Sequence, residues 1–139
     1  MPMPTIRWSV VSPAVTTQFR EDFSLDLDAT GRVIEGLLAD GVSGLIIAGT
    51  VGENCSLSKA EKLALLETAV DVTRRRVPVL FGIAEYTTTL ACDMAREARR
   101  LGADGAMVMP ALVYATTVLR AKGGSAQRLG VSFSVASQS

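Results

Sequence analysis

Residues 44–49 read Gly-Leu-Ile-Ile-Ala-Gly, a run that is apolar on consecutive positions. A strand with one face in solvent alternates apolar and polar residues, whereas a strand covered on both faces is apolar throughout, as in parallel sheets. The run therefore predicts a buried strand of a parallel sheet, with helices packed on both sides of that sheet.

A helix is predicted after this strand and a short loop. Residues 58–61 read Ser-Lys-Ala-Glu, a capping box in which the serine and glutamate side chains satisfy backbone amides at the helix start. Arginines 74–76 close the helix, where positive charge complements its carboxyl-terminal dipole. The residues expected on its buried face are Leu63, Leu66, Ala69 and Val70.

The same alternation of apolar run and helical stretch repeats over residues 1–115. Further apolar runs occupy residues 10–15, 77–83 and 105–110, and helix-period stretches occupy residues 26–38 and 87–101. Pro13 interrupts the first run, so its strand is expected to end or bulge there. Gly41 is placed to end the first helix. A spacing of roughly 30 residues is the size of one βαβ unit, which predicts four parallel strands and three helices.

The last part of the chain, residues 116–139, differs in composition from the rest. It contains no acidic residue, is rich in serine and glycine, and shows no helical periodicity. We therefore predict two regions: an α/β segment over residues 1–115 and a divergent, poorly ordered tail over residues 116–139.

Composition excludes several classes of function. The formal net charge is +0, whereas an electrostatic nucleic-acid binder needs a basic face. The chain has no histidine, which removes histidine-based catalysis and the commonest zinc ligand. Cys55 and Cys92 form no CxxC motif, and there is neither a secretory signal nor an apolar run long enough to cross a membrane. We expect a cytoplasmic protein without a metal, a cofactor, or a nucleic-acid or membrane partner.

Functional groups of a parallel α/β sheet lie in the loops at the carboxyl ends of its strands. After the second run, residues 49–54 read Gly-Thr-Val-Gly-Glu-Asn, and backbone amides exposed beside the glycines can hold a carboxylate or phosphate. An ordinary glycine-rich turn fits the same residues, and the run is neither G-x-G-x-x-G nor a P-loop. Glu53 is either catalytic or, as we favour, a carboxylate that caps or orients its neighbours.

The other candidate groups are less specific. Residues 85–87, Glu-Tyr-Thr, are interpreted as a helix start with an incidental aromatic side chain. Tyr114 follows the fourth run and could relay a proton, although a pKa of roughly 10 makes tyrosine a poor base. Lys59 and Lys62 are expected to face solvent, and Lys122 lies in the tail. A Schiff-base lysine needs a desolvated position, which none of the three has on this interpretation.

Several motifs in order resemble the dihydrodipicolinate synthase / N-acetylneuraminate lyase family over residues 8–114. Gly49-Thr50-Val51-Gly52-Glu53, with Leu57 after it, is similar to the family's G-T-T-G-E-x-x-x-L. The further matches are the charged helix at residues 61–75, Pro78-Val79-Leu80-Phe81-Gly82, and Gly102-Ala103-Asp104-Gly105.

This resemblance implies a partial (β/α)8 TIM barrel of about four βα units, from a class I aldolase-type lyase. Such enzymes bind pyruvate or a related 2-oxo acid as a Schiff base on a barrel lysine, without a cofactor. Matching the motif gives Thr50 the proton-relay role. It also assigns the substrate carboxylate to the amides of Gly49, Thr50, Val51 and Gly52.

The chain departs from the family's pattern at four places. Val51 replaces the second threonine, and Leu112 stands where the family often has a tyrosine, so Tyr114 is only an off-register candidate. The fifth-strand Y-N-x-P motif is absent, since Asn54 is the only asparagine, and the sixth-strand lysine is absent too. We therefore hypothesise a truncated or frame-shifted family member, with little or no activity in this chain alone.

Two alternatives remain. Four βα units leave sheet edges open, which predicts a homo-oligomer or association with another half-barrel, and hence a non-catalytic interaction module. A doubly wound nucleotide-binding domain, with a phosphate at residues 49–52, is the other alternative.

Overall fold

The computed structural model describes residues 11–109, which form three helices alternating with three parallel strands. The helices are α1 (Leu27–Ala39), α2 (Lys59–Thr73) and α3 (Thr88–Leu101), and the strands are β1 (Leu45–Ile47), β2 (Val79–Ile83) and β3 (Gly105–Val108). The strand order is β1-β2-β3, with Ile46 opposite Leu80 and Phe81 opposite Ala106. This confirms the predicted parallel α/β fold. The predicted tail at residues 116–139 and the boundary before it lie outside the described residues.

The first predicted strand is not a regular strand in the part of it that is described. Ala14 forms an isolated parallel bridge with Ile46, supported by hydrogen bonds from Val15 N to Ile46 O at 2.9 Å and from Ile46 N to Pro13 O at 3.0 Å. Proline has no amide to donate, so Pro13 cannot continue the ladder in both directions. The bridge nevertheless places Val15 beside β1.

The central strand β2 carries the core. All five of its residues are buried, and Phe81 has no exposed surface. Burial of one such side chain stabilises the fold by about 1.5–3 kcal/mol. The other main contributors to this core are Val15, Ile34, Leu45, Ile47, Leu65, Leu66, Ala69, Met94, Ala95 and Ala98.

The buried face of α2 is rotated relative to the prediction. Leu66 and Ala69 are buried as expected, but Leu63 and Val70 are only partly buried. The fully buried positions are Lys62, Leu65, Leu66, Ala69 and Thr73, spaced three and four residues apart. Because α2 packs against α1 and α3 as well as the sheet, its buried stripe is wide enough to include a lysine and a threonine beside the leucines and the alanine.

The predicted helix ends are found where the capping chemistry placed them. Ser58 Oγ accepts from Glu61 N at 3.3 Å, and Glu61 Oε2 accepts from Ser58 N at 2.8 Å. Thr87 caps α3, and Gly41 follows α1 with φ +82°. The arginines after α2 close the helix as expected: Arg74 ends it in the left-handed conformation, and Arg76 donates to two carbonyls of its last turn at 3.0 and 2.8 Å. None of the helices in the described range has the length and apolar character needed to cross a membrane.

The capping box makes stability depend on pH. Hydrogen bonds from the Ser58 backbone and side chain lower the pKa of Glu61 from its ordinary 4.5. A depressed folded-state pKa gives stability that is present above the unfolded pKa and lost as pH falls through the folded value. We expect Glu61→Gln to be less stable than wild type at neutral pH, with the difference closing below pH 4.5 in urea unfolding followed by circular dichroism.

Glu67→Gln is the matched control, because Glu67 is an exposed carboxylate in the middle of the same helix. A Glu61→Gln difference that stayed constant across the acidic range would contradict the capping interpretation.

Candidate functional site

The loop between β1 and α2 is held in shape by hydrogen bonds within its own backbone. Gly52 N and Asn54 N both donate to Gly49 O, at 3.1 and 3.3 Å, and Glu53 N donates to Thr50 O at 3.0 Å. Ala48 and Glu53 adopt positive φ values of 54° and 58°, which side-chain-bearing residues rarely take. The loop is therefore a tight, hydrogen-bonded turn at the carboxyl end of β1.

Two glycines allow other backbone to pass close to this turn. A Cβ at Gly52 would lie 3.1 Å from Val15 O and 3.2 Å from Ala48 Cα, and a Cβ at Gly82 would overlap the Ala48 carbonyl. A Cβ at Gly49 would make only ordinary contacts, with its nearest neighbours 3.6 Å away. The close approach of neighbouring backbone to the turn thus depends on Gly52 and Gly82. Of these two glycines, the sequence pattern assigned only Gly52 to the loop.

Buried side chains anchor the loop from both sides. Thr17 Oγ1 donates to Gly52 O at 2.6 Å, and Asn54 Nδ2 donates to Ala48 O at 2.8 Å and to Gly82 O at 3.0 Å. Thr17 is 8% and Asn54 1% exposed. Sequence reasoning missed Thr17, because nothing local indicates a partner 35 residues along the chain.

The middle of the loop faces outward. Thr50 is exposed, and its hydroxyl donates to Met109 Sδ at 3.3 Å, while the Val51 side chain is 56% exposed. Within residues 11–109, no hydrogen-bond acceptor pairs with the amides of Thr50 or Val51. Two consecutive amides without an internal partner can donate to an anion.

Glu53 does not behave as the sequence suggested. It occupies the position before the short 3-10 turn Asn54–Ser56, but its side chain makes no capping hydrogen bond and is exposed. The capping interpretation of Glu53 is therefore wrong. Its positive φ directs the chain into the turn instead.

The expectation that Lys62 faces solvent is wrong. Lys62 is 6% exposed, and its Nζ donates to Glu85 Oε1 at 2.9 Å. The lysine lies on the central buried stripe of α2, and Glu85, two residues beyond β2, supplies the opposite charge. Lys59 is exposed as predicted, and Lys122 lies outside the described residues.

The ion pair also revises the interpretation of residues 85–87. Thr87 is the cap of α3 and Tyr86 is 66% exposed, as a helix start with an outward aromatic would be. Glu85, however, ties this segment to α2. Tyr114, the other tyrosine considered, lies outside the described range, so its proposed proton relay stays a prediction.

A cavity of about 420 Å³ adjoins the ion pair, bounded by α2, α3 and the segment after β2. Lys62, Glu85, Tyr86 and Leu90 are among its lining residues, but none of residues 49–52 is. The exposed loop and this cavity are thus separate features. Within residues 11–109, no cluster of three acidic or cysteine side chains is arranged to hold a metal ion.

Comparison with known proteins shows which protein family this chain resembles. The profile of the Dihydrodipicolinate synthetase family matches residues 7–117. The chain is 40% identical over 99 residues to 4-hydroxy-tetrahydrodipicolinate synthase 2 of Halalkalibacterium halodurans, covering 71% of this chain and 34% of that protein. It is 38% identical over 97 residues to the 4-hydroxy-tetrahydrodipicolinate synthase of Rickettsia bellii, with 70% and 33% covered. The chain spans about a third of the length of these curated relatives.

Solved structures agree with this assignment. YagE, a prophage protein of E. coli K12 solved in complex with pyruvate, is 33% identical with a TM-score of 0.72, and the match covers 76% of this chain and 35% of YagE. Dihydrodipicolinate synthase from Bacillus clausii is 26% identical with a TM-score of 0.81, with 86% and 42% covered. The likeness confirms that this α/β segment corresponds to part of a barrel.

Proposed function

Because the chain belongs to the Dihydrodipicolinate synthetase family, we propose that residues 49–52 bind the carboxylate of pyruvate or a related 2-oxo acid. The observation that carries this proposal is the pair of amides at Thr50 and Val51, which lack an internal acceptor in the described range. They lie at the carboxyl end of a parallel strand, where such folds place their chemistry. One solved relative, moreover, holds pyruvate.

Thr50 is proposed to move a proton during Schiff-base lyase chemistry. Its hydroxyl is exposed at the loop, and its oxygen can accept a proton while its own proton passes to a second group. The contact with Met109 Sδ at 3.3 Å holds the side chain in one orientation but is weak enough to be exchanged for a substrate contact. Tyr114 remains the second proposed member of this relay.

Val51 is proposed to shift substrate preference. A threonine in its place would add a hydroxyl donor to the bound carboxylate, whereas the 56% exposed valine presents methyl groups. The backbone amides remain, so binding of a carboxylate is retained while the surroundings become more apolar. A 2-oxo acid with an apolar substituent is compatible with this surface.

A polypeptide of these 139 residues is proposed not to form the Schiff base itself. Lys59 is exposed, and the Lys62 amine donates to the Glu85 carboxylate beside a cavity that residues 49–52 do not line. An ammonium in a charge-assisted hydrogen bond has no lone pair with which to attack a carbonyl carbon. Neither lysine is therefore placed for the family's covalent step.

We further propose the cytoplasm as the compartment of this protein, which fits the free cysteines Cys55 and Cys92.

Reductive trapping tests this proposal. The chain is incubated with pyruvate and cyanoborohydride, and its intact mass is measured, with the Halalkalibacterium halodurans relative as the positive control. We expect the relative to gain a stoichiometric adduct and this chain to gain none. Stoichiometric labelling of any lysine in this chain, located by peptide mapping and abolished by the matching variant, Lys59→Arg, Lys62→Arg or Lys122→Arg, would contradict the proposed inactivity.

A second candidate function is an association module. Of the described strands, β3 pairs along one edge only, with β2, and its residues are partly exposed. An unpaired strand edge can pair with another chain. A defined complex on size-exclusion chromatography with light scattering would favour this candidate, and a soluble aggregate or an unfolded monomer would argue against it.

A further inference from the structure

Asn54 is a buried polar side chain with a fixed orientation. It is 1% exposed, and its Nδ2 lies 2.8 Å from Ala48 O and 3.0 Å from Gly82 O. Both neighbours are carbonyl oxygens, which only accept hydrogen bonds, so the amide nitrogen rather than the amide oxygen must face them. Oδ1 is left buried, and no donor in the described range pairs with it.

If Asn54 served only to fill the core, its buried and unpaired Oδ1 would lower the stability of the fold. A buried acceptor without a donor is unfavourable, whereas an apolar side chain of similar size would leave nothing unpaired on its own atoms. The asparagine offsets this cost with two hydrogen bonds from its side-chain nitrogen. One is to Ala48, directly after β1, and the other is to Gly82 within β2. The side chain therefore joins the carboxyl end of β1 to β2.

Asn54 also closes the loop that follows β1. Its side chain holds the carbonyl of Ala48 at the start of the loop, and its own amide donates to Gly49 O at 3.3 Å. Ala48 has φ +54°, a conformation that is strained for a residue with a Cβ and needs support from its surroundings. The hydrogen bond to Ala48 O supplies that support.

We propose that Asn54 is a positioning residue for the carboxylate-binding loop. Its side-chain amide fixes residues 48–54 as a closed turn and so sets where the amides of Thr50 and Val51 lie. The proposal rests on the function proposed above for these amides. Thr17, which holds Gly52 O from the opposite side, completes the support but reaches only one carbonyl.

The test compares Asn54→Asp, which keeps the shape but loses both donors when ionised, with Asn54→Ser, which keeps one donor. Thr73→Val is the matched control, because Thr73 is equally buried and donates to Ala69 O at 2.7 Å at the far end of α2. Amide hydrogen exchange at Gly52 and Glu53 reports the closed turn, and NMR titration with pyruvate reports binding.

For Asn54→Asp we expect exchange at Gly52 and Glu53 to accelerate about tenfold beyond any global loss of stability, with a similar weakening of pyruvate binding. Asn54→Ser should lie between this variant and wild type. Acidification should restore part of the protection in Asn54→Asp, because a protonated carboxyl again has one donor, whereas a purely steric role gives no such recovery. Thr73→Val should lower global stability without a selective change in the loop.

The outcomes separate this inference from the proposed function. If the Asn54 variants keep loop protection and pyruvate affinity relative to Thr73→Val, the positioning role is wrong and the carboxylate site stands. If the loop opens selectively but even wild type shows no pyruvate shifts, the positioning role stands and the carboxylate site is wrong. Should Asn54→Asp fail to fold, the intermediate exchange expected of Asn54→Ser decides the matter.

Discussion

Gly82→Ala is expected to destabilise the chain by about 3 kcal/mol, near the upper end of overpacking effects. The added methyl group would overlap the carbonyl oxygen of Ala48 and lie 2.7 Å from its carbonyl carbon and 2.9 Å from Gly49 N. These are backbone atoms, which cannot rotate away as a side chain could. Relief requires β2 to move from the end of β1, which breaks the Asn54 bond to Gly82 O. Urea unfolding followed by circular dichroism measures the loss.

Gly36→Ala is the matched control for this substitution. Gly36 lies within α1, and a Cβ there would meet no atom within 4 Å. Alanine favours the helix over glycine by roughly 1 kcal/mol, so this variant should be slightly more stable than wild type. If Gly82→Ala were as stable as wild type, the close approach between β1 and β2 would not be a constraint on the fold, and the anchoring of the loop would need another explanation.

Local chemistry made much of the fold predictable. The capping box at residues 58–61 specifies a helix start from four adjacent residues, and α2 begins there. The consecutive apolar residues of β1 predict a strand covered on both faces, and Leu45 and Ile47 are buried while Ile46 is half-buried. In each case the determining interaction lies within a few residues of the chain, so the sequence pattern contains it.

The errors come from interactions between distant residues. The apolar pattern of α2 predicted an orientation with Leu63 and Val70 inside, whereas the structure has Lys62 inside. Glu85, 23 residues after Lys62, makes the observed orientation possible by neutralising the lysine. The same limitation hid Thr17, whose acceptor lies on the loop after the next strand. A buried lysine or threonine is identifiable from sequence only if its partner is known.

The loop at residues 49–54 shows both situations in one place. Its motif was found from the sequence, because glycines and a strand end are local features. The reason for its rigidity was not found, because Asn54 and Gly82 act together across neighbouring strands. The resemblance supplied a chemical role for Thr50, while the structure shows that the amides of Thr50 and Val51 have no acceptor within residues 11–109, which is the basis of the proposed carboxylate site.

Lys62→Met is expected to destabilise the chain by about 3 kcal/mol, since removing one partner leaves the other charge buried and unpaired. The Glu85 side chain is 15% exposed, and Lys62 Nζ at 2.9 Å is the partner that the structure gives it. Methionine fits the space of the lysine stem, so the loss measures the charge rather than a cavity. The double variant Lys62→Met/Glu85→Gln should recover much of the loss, because the uncompensated carboxylate is gone. The unfolding free energies of wild type, Lys62→Met, Glu85→Gln and the double variant together give the coupling energy of the ion pair.

An exposed ion pair provides the comparison that makes this result interpretable. On α3, a guanidinium nitrogen of Arg96 lies 2.7 Å from Asp93 Oδ1, and the two side chains are 68% and 46% exposed. Because water screens this pair, Arg96→Met should lower the free energy of unfolding by no more than about 0.5 kcal/mol. A loss of similar size in Lys62→Met would mean that Glu85 turns to solvent when the lysine is absent. The tie between α2 and the segment after β2 would then be weak. A large loss that the double variant relieves would instead show that this buried pair holds the two elements together.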